Sequence, residues 1–223
     1  MTKKKLFIIF NLIIFISTVV ISVYDFIYGA GGVQNGSGMI GWNYFAPFTV
    51  DSNILMAIVS GFTLLQTFRR HRKIKNTPTF SRVLTNSYLM ATTSLMLTFL
   101  VVTFFLIPLR FSHGENGFAM YADDMFFFHL LNPILAVCSF IFLLDGTEIG
   151  QSGKLLALVP PLIYALVYGL HVLIFKDWID FYNFTSGGSY LVSFTTLLTV
   201  CITTYFVATA LVYLHRKATP SKS

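Results

Sequence analysis

Six times along this chain a run of about twenty apolar residues ends in a short polar break, and a run of that length, coiled as a helix, matches the hydrocarbon thickness of a bilayer. The runs lie at about 6–28, 48–68, 83–107, 125–144, 155–175 and 190–214. Inside lipid every backbone N–H and C=O must bond within its own segment. The predicted fold class is therefore an all-α membrane protein, six transmembrane helices in a single domain over 1–223. The charge content agrees: 11% of the residues are charged, against about 25% in a soluble domain.

The first run has Lys3, Lys4 and Lys5 before it and Gly29-Ala30-Gly31 after it, as a secretory signal would. A cleaved signal has an apolar stretch of only about 7–15 residues, so this longer run is expected to stay as the first helix. The polar breaks set the orientation. Lys3, Lys4, Lys5, Arg69, Arg70, Arg72, Lys73, Lys75, Arg82, Lys154, Arg216, Lys217 and Lys222 fall on one side of a six-span chain. Arg110 and Lys176 alone fall on the other, together with Asp25, Asp51, Glu115, Asp123, Asp124, Asp177 and Asp180, while Asp145 and Glu148 lie on the basic side. The bias predicts an integral membrane protein with both termini in the cytoplasm. The net charge of +6 is thus a topology signal. No basic patch is interleaved with exposed aromatics, so nucleic acid is not an expected partner. Cys138 and Cys201 sit in apolar runs without a C-x-x-C partner and read as small hydrophobes.

Within the fourth run stands His129, four residues before Pro133. Proline has no N–H, so the carbonyl of His129 loses its helical donor and a kink is expected there. Pro108 is expected to stop the third helix, and Pro160-Pro161 to disturb the first turns of the fifth. An ionisable side chain at such depth points to a polar interior and a functional role. Asp25, Thr49, Asp51, Asn53, His129, Asn132 and His171 all fall near the outer side. Thr49 and Asn53 share a helix face, as do His129 and Asn132. Tyr164, Tyr168 and His171 form a stripe on the fifth helix. Thr196, Thr199 and Thr203 form another on the sixth, best read as bonding their own backbone. The aromatic residues Trp178, Phe181, Tyr182 and Phe184 suit a loop at headgroup level.

Three motifs follow one another: Phe48-Thr49-Val50-Asp51-Ser52-Asn53-Ile54-Leu55, His129-Leu130-Leu131-Asn132-Pro133, and His171 with Trp178-Ile179-Asp180-Phe181. The set resembles a bacterial family of six-span membrane proteins of unassigned activity, which implies a place in a bacterial plasma membrane. More distantly it is similar to the androgen-induced and androgen-dependent six-span hydrolases of animals. That resemblance implies cleavage of fatty acid esters of hydroxy fatty acids by a threonine nucleophile and a histidine. Thr49 stands where the threonine would, at the start of the second span, and His129 where the histidine would. The animal motif lacks the Asp51-Ser52-Asn53 run, and its aromatic-Pro-aromatic after the tryptophan is missing here.

The chemistry implied is ester hydrolysis with Thr49 attacking and His129 as base. Asp51 or Asp25 would orient the imidazole, and Asn53 and Asn132 would donate to the oxyanion. His171 would support the site. The expected partners are membrane lipids, with a fatty-acyl ester as substrate, and neither cofactor nor metal is required. No G-x-S-x-G elbow is present, so an α/β-hydrolase is excluded. Two other classes fit the same residues. One is a small transporter or partner protein with a polar outer cavity and an Asp51–His129 proton relay. The other is a membrane bundle holding haem between His129 and His171, or zinc with an added carboxylate.

Overall fold

Each apolar run is helical in the computed structural model, which describes residues 2–29, 41–71, 78–144 and 149–219. The glycine-rich stretch 30–40, the basic stretch 72–77, the turn 145–148 with Asp145 and Glu148, and the tail 220–223 with Lys222 lie outside the described residues. Helix α1 spans Lys3–Tyr28 and α2 spans Phe48–His71, entered directly after Pro47. Helix α3 runs Pro78–Val101 and continues through a π-turn, Val102–Leu106, into Ile107–Ser112. Helix α4 is built of a π-turn at Phe127–Leu131, an α segment at Asn132–Cys138 and a second π-turn at Ser139–Leu143. Helix α5 comprises Gln151–Leu156, Val159–Gly169 and a π-turn at Leu170–Phe175, and α6 spans Tyr190–Ala218. Among the described residues there is no strand.

Among the described residues five helices (α1, α2, α3, α5 and α6) are long and apolar enough to cross a membrane; α4 contributes a shorter apolar helix, Phe127–Leu143. Two of the proline expectations need adjustment. Pro108 does not stop α3. The π-turn before it absorbs the missing N–H, and the proline sits in the first turn of the continuing segment, where its own donor would be unsatisfied anyway. Ahead of Pro133 the strain is likewise taken up as a π-turn, in which the Asn132 N–H reaches back to the Phe127 carbonyl. The Pro160-Pro161 pair does break α5, at Ala157 and Leu158.

Helices consecutive in the chain run antiparallel. The start of α1, the end of α2, the start of α3 and the end of α4 surround one cavity. At the same end Arg216 of α6 donates to the Ile149 carbonyl at 2.9 Å, and Gln151 donates to Tyr205 at 2.7 Å. This is the basic end of the bundle. Helices α2 and α3 form its centre, with about half of each span buried (56% and 50%), whereas α5 is only 11% buried. The core joins Ile14, Met56, Tyr88, Leu89, Leu95 and Phe140. On α3 the small residues Ala91, Thr92, Thr93 and Ser94 are all buried, which allows close helix approach. Gly117 serves the same purpose at the opposite end: a Cβ there would stand 2.5 Å from the Ile107 carbonyl. It opens the short 3-10 turn Gly117–Tyr121, which carries Met120 toward α4.

Candidate functional site

At the end opposite the basic one, the first turn of α2 meets the π-turn of α4. Thr49 Oγ1 lies 3.3 Å from His129 Nε2, and both residues are buried. The other ring nitrogen, Nδ1, lies 2.6 Å from the Met120 carbonyl. A carbonyl only accepts, so Nδ1 carries the proton. In the neutral ring Nε2 is then a bare acceptor, and the Thr49 hydroxyl donates to it. The group that orients the imidazole is thus a backbone carbonyl rather than the expected carboxylate of Asp51 or Asp25. Asp25 faces Asp124, and Asp51 lies half-buried within electrostatic reach of Tyr44 and Tyr164.

The two asparagines also differ from expectation. Asn53 Nδ2 donates to the carbonyls of Thr49 at 2.8 Å and Phe128 at 3.2 Å. Asn132 Nδ2 donates to Asn53 Oδ1 at 2.9 Å and Thr18 at 3.3 Å, and Asn132 Oδ1 accepts from Ser17 at 3.2 Å. Each amide has two N–H groups, and all four are engaged. These side chains therefore do not offer donors to an oxyanion. They lock α1, α2 and α4 together and hold the backbone on either side of the Thr49–His129 pair. Ser52 adds α3 to the same lattice through Thr98, at 3.0 Å.

His171 belongs elsewhere. Its Nδ1 pairs with Asp177 at 2.8 Å, and its ring stacks on Trp178 with centroids 4.2 Å apart. The two histidines thus keep separate partners, and among the described residues no three His, Cys, Asp or Glu side chains converge as a metal-ligand set. Of the α6 stripe, Thr199 bonds the Thr195 carbonyl, while Thr196 lines the large cavity beside Thr49.

Thr49 lines a cavity of about 520 Å³, and His129 is not among the residues that line it. That volume is in the range of small-molecule sites. Its walls are almost wholly apolar: Phe48 of α2, Leu97 and Val101 of α3, Tyr164 of α5 and Val200 of α6. Leu166 of α5 and Phe194 of α6 also line it and are about two-thirds exposed on the outer surface (64% and 63%), so the cavity continues to the flank of the bundle.

The loop 176–189 folds back so that Tyr182 and Thr185 are buried and line this cavity. Asp180 organises the loop by accepting four hydrogen bonds, from Tyr168 Oη at 2.6 Å, Phe184 N at 2.8 Å, Thr185 N at 2.8 Å and Thr185 Oγ1 at 2.6 Å. Burial pushes the Asp180 carboxyl up, but the donors of Thr185, Tyr168 and Phe184 outweigh it and hold it below the usual carboxylate value. The Tyr182 phenol stands within electrostatic reach of the Thr49 side chain and of the backbone of Phe48 and Thr49. These are the first residues of α2, whose N–H groups have no partner within the helix. Burial pushes Tyr182 up to about 12, so it stays a protonated donor at neutral pH. Tyr182 and the Met120 carbonyl are the two participants that the sequence motifs did not single out.

Comparison with protein-family models, with curated proteins and with solved structures finds no match.

Proposed function

We propose that this chain is an intramembrane hydrolase of lipid esters, spanning the membrane six times with both termini on the cytoplasmic side. The observation that carries the proposal is the Thr49–His129 pair: a hydroxyl donating to a histidine of fixed tautomer, with Thr49 lining an apolar cavity that reaches the lipid-facing flank. A threonine needs such a base within hydrogen-bond reach to act as nucleophile.

The acyl chain of the ester lies along Leu97, Val101 and Val200, having entered sideways past Leu166 and Phe194. Thr49 Oγ1 attacks the ester carbonyl and its proton passes to His129 Nε2. The tetrahedral oxyanion is held by the Tyr182 hydroxyl, beside the N-terminus of α2, whose dipole favours negative charge. Collapse breaks the bond to the alcohol, which leaves with the proton from His129. Water then attacks the acyl-threonine, His129 takes its proton, and the fatty acid is released with Thr49 restored. The Met120 carbonyl stabilises the transient imidazolium through Nδ1–H. The six-span topology is supported by the antiparallel packing and by the gathering of lysines and arginines at one end. The likeness of the Thr49 and His129 motifs to the animal threonine hydrolases points the same way.

The test is ester cleavage by purified protein carrying Thr49→Ala, His129→Ala, or both. Residues acting as one unit give losses that do not add. Each single variant is expected to lose most activity and the double variant little more. Thr49→Ser should retain part of it. Parental rates in Thr49→Ala would remove Thr49 as nucleophile.

A further inference from the structure

A second cavity, of about 280 Å³, opens at the basic end of the bundle, remote from Thr49. Lys3 and Lys4 from the first turn of α1 stand at its edge. Its inner wall carries Thr63, Gln66 and Thr67 from the last turns of α2, and Ser81 and Thr85 from the beginning of α3. Phe7, Leu84, Leu143 and Leu144 give it an apolar floor. No carboxylate is among the described residues that line it.

The donors there are unevenly engaged. Thr67 and Thr85 donate to backbone carbonyls in their own helices, at 2.9 and 3.0 Å. Gln66 donates one amide hydrogen to Ser81 at 3.1 Å, which leaves its second N–H for another acceptor. Thr63 is only 3% exposed, and its hydroxyl has no partner. An unbonded hydroxyl in such a setting is costly, and a ligand acceptor would relieve it. Both α1 and α3 begin at this cavity, so two positive helix ends add to the two ammonium groups. The site thus presents positive charge at its rim, neutral donors on one wall and hydrocarbon below.

We propose that this cavity binds a phosphate group, that of an anionic lipid headgroup. Lys3 and Lys4 neutralise the phosphate oxygens, Thr63 and Gln66 donate to them, and the first methylenes of the acyl chains rest on Phe7 and Leu144. The lipid is a structural or regulatory ligand here, since the cavity lies at the opposite end from Thr49. This assignment is independent of the hydrolase reading.

Full-length protein purified in a neutral maltoside detergent is titrated with dioctanoyl phosphatidic acid, dioctanoyl phosphatidylcholine and inorganic phosphate while thermal unfolding is followed. Phosphatidic acid is expected to raise Tm saturably and phosphatidylcholine to leave it unchanged. Removing two surface lysines in Lys3→Ala/Lys4→Ala should weaken the apparent affinity about thirtyfold. Thr63→Val should weaken it with the charge intact, and Thr63→Ser should restore it. Lys154→Ala removes a cation that lies over Tyr205 at the same end, outside the cavity, and should change nothing. Saturation by inorganic phosphate at the concentration at which the lipid saturates would overturn the lipid assignment in favour of a soluble phosphate. The site itself is overturned if phosphatidylcholine stabilises equally, if Lys154→Ala weakens binding as much as the lysine pair, or if Thr63→Val binds like the parent.

Discussion

Replacing Asp180 tests whether the loop 176–189 is part of the site. In Asp180→Ala four donors lose their acceptor: Tyr168 Oη, the amides of Phe184 and Thr185, and Thr185 Oγ1. Hydrogen bonds to a charged group contribute about 1.5–3 kcal/mol each, so four at the lower figure sum to about 6 kcal/mol. The carboxylate is only partly buried and water can replace it, which cuts the local loss to about 3 kcal/mol. The assay is hydrogen exchange at the Phe184 and Thr185 amides. A loss of that size speeds exchange through local opening by about a hundredfold. Asp180→Asn should fall between, because its Nδ2 meets the Thr185 amide donor to donor. Ester cleavage should fall in parallel, since Tyr182 is two residues away on the same loop. The pH dependence has a definite sign. Asp180 titrates below its ordinary value of 3.8 in the folded protein, so its bonds hold fully above that pH and are lost as pH falls through the lower folded value. The loop should loosen in acid in the parent and show no such step in Asp180→Asn. Exchange at Phe184 and Thr185 that stays within about twofold in Asp180→Ala would refute the reasoning, because it would mean an opening change of less than about 0.5 kcal/mol.

Tyr182→Phe removes one oxyanion donor and should lower kcat by about a hundredfold or more with little change in KM, measured by steady-state ester cleavage. Asn132→Ala deletes three interhelical hydrogen bonds; at about 0.6 kcal/mol each in a membrane protein, the loss is about 2 kcal/mol in an SDS unfolding titration. Single cysteines at Asn116 and Ser186 should be labelled from outside intact cells by an impermeant maleimide, and one at Ser152 should not; the reverse pattern would invert the topology.

Helix positions were legible because apolar length and prolines act locally. Pro47 marks the entry to α2 and Pro160-Pro161 the break in α5. Pro108 misled because a π-turn, which depends on how α3 packs, can absorb a missing N–H. Helix order placed Thr49 and His129 at one depth among other polar residues, and the resemblance of their motifs singled them out as a pair. What surrounds them was not. Met120 contributes a backbone carbonyl, which has no residue signature, and it arrives through a turn that needs Gly117 against Ile107. Asn53 and Asn132 have the right chemistry for oxyanion donors, but only the three-dimensional arrangement reveals that their amides are already bonded. Tyr182 sits in an aromatic loop that reads as interfacial, and its burial follows from the four bonds gathered by Asp180.

The most direct measurement is covalent capture of the nucleophile. Purified protein is treated with a fluorophosphonate bearing a long alkyl chain, and the modified residue is mapped by mass spectrometry. Attack on phosphorus expels fluoride and leaves a stable adduct on the attacking oxygen. The expected result is a single adduct on Thr49, absent in Thr49→Ala and formed about a hundredfold more slowly in His129→Ala, where the general base is gone. An adduct on another residue, or ester cleavage that persists in Thr49→Ala, would contradict the account.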